Sequence, residues 1–275
     1  MDSLEYEIAK SFPNLRQTEF GKVIVPLTND NEPYTPVVWG SFITGLPPSR
    51  HSIFEGPELK WDNRVLQKLR ELLRRRGNSF YWKNYNWIGK LMTNIGFRMT
   101  PHHIFHTKED FISKKISTIF DRAKKPIAMS VPSYNEEQVN QYLRGRLSDV
   151  YRDGLPQEVL EKEALKVFRS RKKELLRRLD EDWDLLMTHL FIVDTFGHLI
   201  PTYDPKFERV YTELNEMAGE IKDKMHNTFI LIVSDHGHRN CSHTPYGFYS
   251  SNQIIGLHYP KITEFHQIIL EMLSS

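Results

Sequence analysis

Residues 228–243, TFILIVSDHGHRNCSH, decide how this chain is organised. Their apolar segment 229–233 is short and rich in β-branched residues, which is typical of a buried strand. The run ends at SDH, residues 234–236, and His243 follows. Open α/β sheets carry their binding sites at the carboxyl ends of strands. Aspartate together with histidine suits a borderline divalent cation such as zinc, so this strand end predicts a metal site.

A second strand end of the same kind lies upstream. Residues 185–193 (LLMTHLFIV) form a nearly continuous apolar run, as expected for a central parallel strand, and lead into DTFGH at 194–198. Residues 208–225 have the pattern of a crossover helix, so the whole segment predicts a βαβ unit. Acid and histidine at two consecutive strand ends strengthen the prediction of a metal site. The candidate ligands are Asp194, His198, Asp235, His236 and His243.

A third segment has the start and stop signals of a short helix. In YTPVVWGSFITG, residues 34–45, Thr35 suits the N-cap, Pro36 the first helical position and Gly45 the C′ position. A hydroxyl at a helix N-terminus lies beside free backbone N–H groups and the positive end of the helix dipole, where phosphate binds well. Thr35 is therefore either a simple N-cap or a residue that faces a phosphate, and this segment alone leaves both interpretations open.

The middle of the chain, residues 57–183, has mainly helical patterns and few signs of chemistry. Apolar spacing predicts helices over 59–76, 107–124 and 155–182, and PIAMSV at 126–131 predicts a strand. The basic groups of these helices alternate with acidic ones, which indicates a solvated face. Aromatic residues within 80–97 are candidates for a substrate pocket. Three histidines lack a carboxylate or cysteine at metal-ligand spacing, and we interpret them as surface or loop residues: His102, His103 and His106.

Length and composition exclude several classes of protein. The chain has 275 residues, 39% of them hydrophobic and 26% charged, which is typical of a globular, water-soluble protein. A net charge of +2 does not indicate a nucleic-acid partner. The sequence contains no signal peptide and no apolar run that would span a bilayer, so we expect no membrane partner. Cys241 is the only cysteine, which excludes a disulfide framework and favours a cytoplasmic location.

Together these segments resemble the alkaline phosphatase superfamily, in particular its type I phosphodiesterase/nucleotide pyrophosphatase branch. Residues 35–51 (TPVVWGSFITGLPPSRH) are similar to the branch's nucleophile segment, which reads roughly TPPxWxSFxTGxxPxxHGI. DTFGH at 194–198 and SDHG at 234–237 resemble its two later metal motifs, and HTPYGFY at 243–249 resembles the region of its late histidine. Asp2, in DSL at residues 2–4, is similar to the aspartate of its first strand.

The resemblance implies a fold. We expect a single alkaline-phosphatase-like α/β domain over residues 1–275, doubly wound around a mainly parallel sheet, with a variable and mainly helical insertion at about 57–183. The family's first strand ends at the aspartate that Asp2 matches. Because the sequence starts at that point, we expect this strand to be missing.

The same resemblance implies a reaction. The protein would be a phosphoester hydrolase acting on a small molecule with two divalent metal ions, zinc or alternatively manganese. One ion would be held by Asp194, His198 and His243, and the other by Asp2, Asp235 and His236 together with Thr35. Thr35 would attack phosphorus as an alkoxide, so the reaction would be a double displacement through a phospho-threonine.

Three other functions stay open. A phosphomonoesterase or mutase-type relative is disfavoured, because such proteins usually have Ser where Thr35 stands and carry a large insertion that is not recognisable here. A non-catalytic phosphate- or nucleotide-binding relative is motivated by the missing first strand. A nucleic-acid-binding module built on the Arg-rich helices would show steep salt dependence, and the near-neutral net charge argues against it.

Overall fold

The computed structural model describes residues 1–28, 31–51, 53, 58–61, 99–102 and 106–274, with 58–61 and 99–102 described by their backbone. The chain divides into two compact units. The first contains Met1–Phe54 and His106–Ser275, and the second contains Glu55–Phe105. That the whole chain is one alkaline-phosphatase-like domain with an insertion at about 57–183 stays a prediction.

The described elements alternate between helices and short strands. The helices are α1 (Tyr6–Ala9), α2 (Pro13–Arg16), α3 (Thr35–Thr44), α4 (Pro48–His51), α5 (Lys108–Ser113), α6 (Ile119–Arg122), α7 (Gln138–Asp153), α8 (Gln157–Arg178), α9 (Ile192–Leu199), α10 (Pro205–Lys224) and α11 (Glu264–Ser274). The strands are β1 (Glu19–Ile24), β2 (Glu58–Trp61), β3 (Met99–His102), β4 (Pro126–Met129), β5 (Leu185–Thr188), β6 (Leu231–Ser234), β7 (His238–Arg239), β8 (Ser242–His243) and β9 (Tyr246–Ser251).

The second unit contains one described pair of strands. Strands β2 and β3 pair antiparallel, with Glu58 opposite His102 and Trp61 opposite Met99. The predicted helix over 59–76 is therefore wrong at its start, where the chain is extended, and its remainder lies outside the described residues. His102 lies in a strand instead of a loop, whereas His103 and the aromatic segment 80–97 lie outside the description.

The first unit is built on three hydrogen-bonded strand groups. Strand β9 lies between β1 and β6 and is antiparallel to both, β4 and β5 form a parallel pair, and β7 and β8 form a small antiparallel hairpin. The mixed α/β class is confirmed. The strands predicted over 229–233 and 126–131 are confirmed with different bounds, as β6 and β4. These small sheets do not confirm a doubly wound parallel sheet.

Helices cover both faces of the β6–β9 pair. Ile232 and Phe248 pack into one hydrophobic core with α8, α9 and α10, whereas Val233 and Tyr249 pack into a second core with α3 and α11. Side chains alternate between the two faces of a strand, so a strand buried on both faces needs apolar residues at every position. This burial explains why the run that leads to Asp235 is continuously apolar.

The start of the chain joins the ends of two strands. The Met1 amine donates a hydrogen bond to the Val233 carbonyl (2.6 Å), and the Asp2 amide donates to the Leu190 carbonyl (2.8 Å). Strands β5 and β6 both line an apolar cavity of about 320 Å³. In the described part of the chain no ladder links β5 to β6 directly, although the predicted crossover helix between them is present as α10. The contacts of Met1 and Asp2 fix the side chain of Asp2 at the ends of both strands.

The predicted strand over 185–193 is wrong in its second half. Strand β5 ends at Thr188, and Ile192 begins the helix α9, which carries Asp194 in its first turn and His198 in its last. A continuous apolar run has no period that separates a buried strand from a buried helix. Here the first residues of the run form β5 and its last residues begin α9. Asp194 and His198 therefore project from one helix instead of following a strand.

The predicted helix over 107–124 is two short helices, α5 and α6. Lys115 lies between them with φ 56°, a left-handed conformation that interrupts a helix. The carboxylate of Asp110 accepts a hydrogen bond from the Thr107 N–H, and that of Asp121 accepts one from the Thr118 N–H, both at 2.8 Å. Each short helix therefore has its own start signal, Thr-x-x-Asp, which the apolar spacing alone does not reveal.

The helix predicted over 155–182 is confirmed as α8. The residues that its apolar spacing places inward are all buried: Leu160, Ala164, Phe168, Leu175 and Leu179. Among the described residues, no helix is both long enough and apolar enough to cross a lipid bilayer.

Candidate metal centre and nucleophile

Helix α9 presents two of the candidate ligands from one face. Asp194 and His198 are four residues apart, a spacing that places side chains one above the other on an α-helix. The Oδ1 atom of Asp194 lies 3.5 Å from Nε2 of His198. The helix thus brings a carboxylate and an imidazole together without help from the rest of the chain.

The hairpin β7–β8 supplies two further imidazoles. His238 and His243 are cross-strand partners. Nε2 of His243 lies 3.2 Å from Nε2 of His198 and 3.6 Å from Oδ1 of Asp194. Potential ligand atoms of Asp194, His198, His238 and His243 all lie within 4.8 Å of one another. The structure therefore brings together the three residues predicted for one ion and adds His238.

His238 is fully buried and packs against helix α9. Its ring lies edge-on to the ring of His198, with centroids 4.7 Å apart. A Cβ atom at Gly197 would lie only 2.5 Å from the His238 ring, so this close approach requires a glycine. His238 is not among the ligands predicted from the sequence. The sequence gives one signal for it, its place between His236 and His243, but only the packing of the hairpin β7–β8 turns its ring inward.

A second group of ligand atoms surrounds Nε2 of His236. Oδ1 of Asp2 lies 3.4 Å from this nitrogen, Oδ2 of Asp235 lies 3.5 Å away, and Oγ1 of Thr35 lies 3.3 Å away. The four residues predicted for the other ion are therefore neighbours in the fold. Asp2, His236 and Asp194 offer ligand atoms within 4.8 Å of one another, so Asp194 belongs to both groups.

Ser3 connects the two groups and is not among the residues predicted from the sequence. Its hydroxyl donates a hydrogen bond to Oδ1 of Asp194 (2.7 Å) and lies 3.1 Å from Nδ1 of His236. Its backbone N–H donates to Oδ1 of Asp235 (3.4 Å). The residue adopts a positive φ of 63°, which brings its hydroxyl and its N–H to the site together. A serine after Asp2 gives no such signal before the fold is known.

Burial is the largest single influence on the pKa of Asp2 and on that of Asp194. Burial raises the pKa of Asp2 well above its usual range, and the charges of Asp235 and Asp194 raise it further. Burial would also raise the pKa of Asp194, but the hydrogen bond from His243 and the charge of His198 outweigh it and lower that pKa. Both oxygens of Asp2, and Oδ2 of Asp235, lack a hydrogen-bond partner within the described part of the chain.

Burial and the neighbouring charges also shift the pKa values of the histidines around Asp194. Burial lowers the pKa of His238 to about 3 and lowers that of His198 as well. For His243, burial is outweighed by the hydrogen bond and the negative charge of Asp194, which raise its pKa. Neutral imidazoles beside ionised carboxylates are the ligand form that zinc and similar cations take.

Thr35 occupies the first position of α3 instead of the predicted N-cap. Tyr34 is the N-cap residue and makes no side-chain hydrogen bond to the helix, Pro36 follows Thr35, and Gly45 ends the helix with φ 68°, as predicted. The Thr35 hydroxyl is half-buried and its described contact is with His236. Its side chain thus faces the candidate ligands at the N-terminus of a ten-residue helix.

His51, the histidine of the predicted nucleophile segment, supports α3 from behind. Its Nε2 lies 2.9 Å from the Ser41 hydroxyl, and its Nδ1 accepts a hydrogen bond from the Ile53 N–H at 3.1 Å. Burial lowers its pKa to about 4, with further lowering by the charges of Lys114 and His106. His51 therefore holds the segment that follows Thr35 and does not contact the candidate ligands.

The comparison with known proteins agrees with this geometry. No curated protein matches the chain. The sequence profile of the type I phosphodiesterase / nucleotide pyrophosphatase family, which lies within the alkaline phosphatase superfamily, matches residues 2–259. The match begins at Asp2, covers Thr35 and both histidine-rich groups, and extends beyond His243. The chain belongs to the type I phosphodiesterase / nucleotide pyrophosphatase family.

Proposed function

We propose that this protein is a metal-dependent phosphoester hydrolase that uses Thr35 as its nucleophile. The observation that carries the proposal is the convergence on His236. The Thr35 hydroxyl lies 3.3 Å from Nε2 of His236, and a carboxylate oxygen of Asp2 lies 3.4 Å from the same nitrogen. A hydroxyl at a helix N-terminus therefore shares its surroundings with buried groups that suit a divalent cation. The family to which the chain belongs supports phosphoester hydrolysis.

The residues fit the two metal ions that we propose. Buried carboxylate oxygens without a hydrogen-bond partner in the described chain are costly unless a cation compensates them. Burial raises the pKa of Asp2, and repulsion by the charges of Asp235 and Asp194 raises it further. Nitrogen and carboxylate donors without thiolate suit zinc, with manganese as the alternative.

Each proposed ion has its own ligands. Asp194, His198 and His243 would hold the first, with His238 close enough to take part. Asp2, Asp235, His236 and Thr35 would hold the second. When bound, such ions lower the pKa of a hydroxyl or of water and neutralise the charge of phosphoryl oxygens.

Thr35 forms and breaks the bond to phosphorus in the proposed reaction. The Thr35 hydroxyl gives up its proton and Oγ1 attacks phosphorus, while the ester oxygen leaves with the electron pair of the P–O bond and takes up a proton. The resulting phospho-threonine is then attacked by water, which restores the Thr35 hydroxyl and releases phosphate or a phosphate monoester. Thr35 begins α3, and the positive end of the helix dipole there would favour the negative charge that develops on the phosphoryl oxygens. The surrounding fold, in this proposal, is the doubly wound α/β fold of the superfamily.

The substrate class follows from the same reasoning. We propose a small-molecule phosphoester, with diesters preferred to monoesters. A threonine nucleophile and the phosphodiesterase family favour this preference. We propose no nucleic-acid partner, because the net charge of +2 offers no excess of positive charge for a phosphate backbone.

A matched pair of threonine variants tests the proposal. We expect Thr35→Ala to lose at least about 1,000-fold in kcat towards a generic aryl phosphodiester, whereas Thr35→Ser keeps measurable turnover because it keeps a hydroxyl. Thr212→Ala is the control, since Thr212 is exposed on α10 and bonds only to the Glu208 carbonyl. Elemental analysis should give the same metal content in the wild type and the three variants, apart from a weakened second ion where Thr35 is replaced.

The outcomes separate the alternatives. Wild-type turnover in Thr35→Ala would refute the nucleophile. Binding of two ions without hydrolysis of any diester or monoester would support a non-catalytic phosphate-binding relative. Faster turnover of an aryl phosphomonoester than of the matching diester would support the phosphomonoesterase type.

A further inference from the structure

A buried histidine outside both ligand groups lies directly behind Asp2. His189 is 1% exposed, and its Nε2 lies 3.4 Å from Oδ2 of Asp2, while Oδ1 of Asp2 faces His236. Its ring lies edge-on to the ring of Trp39, with centroids 5.4 Å apart, and its backbone N–H donates to the Met129 carbonyl. The imidazole is therefore held in place from two sides and approaches the carboxylate oxygen that points away from the proposed ion.

His189 also borders a small cavity that has both polar and apolar lining residues. The cavity measures about 20 Å³, and its lining includes His189, Arg171, Asn140 and Thr195. Nη2 of Arg171 is bonded to Glu137 at 2.7 Å. Nη1 of Arg171 and both ring nitrogens of His189 lack a hydrogen-bond partner among the described residues. A space of roughly 10–15 Å³ suffices for one water molecule, so a single water fits between these groups.

A water in this cavity would favour one of the two positions of the His189 ring proton. A guanidinium only donates hydrogen bonds, so a water beside Arg171 accepts from it and has its own protons to give. If Nδ1 of His189 accepts from such a water, the ring proton lies on Nε2. Nε2 is 3.4 Å from Oδ2 of Asp2, which can accept this proton once a bound cation keeps the carboxylate ionised.

We propose that His189 is a positioning residue for Asp2: as the Nε2–H tautomer, it donates to Oδ2 and directs Oδ1 towards His236 and the second metal ion. Hydrogen bonds to the outer atoms of metal ligands orient those ligands and raise metal affinity. The inference rests on the proposed function, because burial and the neighbouring carboxylates raise the pKa of Asp2 and a bound ion keeps that carboxylate ionised. Residue 189 was part of the apolar run in the sequence and gave no sign of this role.

The tautomer is tested on the wild-type protein. Nitrogen-15 NMR of histidine-labelled protein, with the His189 resonances identified by their loss in His189→Gln, shows which ring nitrogen carries the proton. We expect the Nε2–H form after zinc is added. A proton on Nδ1, or a doubly protonated ring near neutral pH, in the zinc-loaded protein would overturn the proposal whether or not the protein is a hydrolase.

Metal affinity supplies the second readout. We expect His189→Phe, which keeps the ring but has no donor, to weaken the second zinc ion by about 10–100-fold in titrations against a competing chelator and to leave the first within a few-fold. His189→Gln keeps a side-chain N–H and should recover most of that loss. His266→Phe is the control for replacing a half-buried histidine away from the site. Equal losses in the Phe and Gln variants, or none in either, would show that the ring only fills space.

Discussion

The Nε2 atoms of His198 and His243 lie 3.2 Å apart, although helix α9 carries one residue and the hairpin β7–β8 the other. Both nitrogens also approach Oδ1 of Asp194, at 3.5 and 3.6 Å. Imidazole nitrogens that converge on each other and on a carboxylate oxygen are arranged as ligands of one cation. Because Asp194 also lies in the group with Asp2 and His236, it connects the two proposed ions.

This shared position predicts that Asp194→Asn weakens both ions. The amide keeps the shape of the side chain but removes its charge. We expect each zinc affinity to fall by more than the roughly 10–100-fold that loss of an outer hydrogen bond costs. Elemental analysis and zinc titration of the purified variant measure the effect.

Two further variants show whether the effect is specific to Asp194. Asp235→Asn should weaken mainly the second ion, because Oδ2 of Asp235 lies 3.5 Å from Nε2 of His236. Asp223→Asn, at an exposed position on α10, should bind zinc like the wild type. An Asp194→Asn protein that keeps both ions would contradict the assignment.

A methyl group at Gly197 should disturb the site through His238. The added Cβ would lie 2.5 Å from the His238 ring, and overpacking of this kind costs about 1–3 kcal/mol. We expect Gly197→Ala to lower the free energy of unfolding by that amount and to weaken the first zinc ion. Chemical denaturation and zinc titration give the two values.

Gly145→Ala is the matched control for Gly197→Ala. Gly145 lies inside α7, and no described atom comes within 4 Å of an added Cβ. We expect this variant to be stabilised by about 0.5–1 kcal/mol, since alanine favours a helix interior more than glycine does. Equal effects of the two substitutions would show that α9 does not pack against His238 as described.

His51 should make stability depend on pH. In the folded protein, burial lowers the pKa of His51 to about 4 from an ordinary value of 6.5. Between these values the unfolded chain binds more protons at this position, so the free energy of unfolding falls as the pH drops from 6.5 towards 4. His51→Gln removes this contribution and should show a shallower decline in urea unfolding measured at several pH values. Parallel pH curves for the variant and the wild type would mean that His51 is not held neutral.

The motifs locate much of the site because they combine short-range spacing with chemistry. Asp194 and His198 were selected from a presumed strand end, yet they meet because four residues make one helical turn. Asp235 and His236 directly follow β6, whose apolar residues are buried on both faces of the sheet. This apolar run locates the two ligands in the sequence. In each case neighbouring residues of the sequence suffice to place the ligand.

The residues that sequence reasoning missed depend on contacts between distant segments. Ser3 reaches Asp194 across 191 positions of the chain. His238 becomes buried only when the hairpin β7–β8 packs against Gly197. The boundary between β5 and α9 was also missed, since an apolar run has the same appearance in a buried strand and in a buried helix.

The stereochemistry at phosphorus tests the central proposal most directly. A phosphodiester whose phosphorus is made chiral by sulfur and oxygen isotopes is hydrolysed, and the configuration of the product is determined by NMR. Attack by Thr35 followed by attack of water on phospho-threonine inverts the configuration twice, so we expect net retention. Net inversion would mean that water attacks the substrate directly, and it would contradict the role of Thr35 as nucleophile.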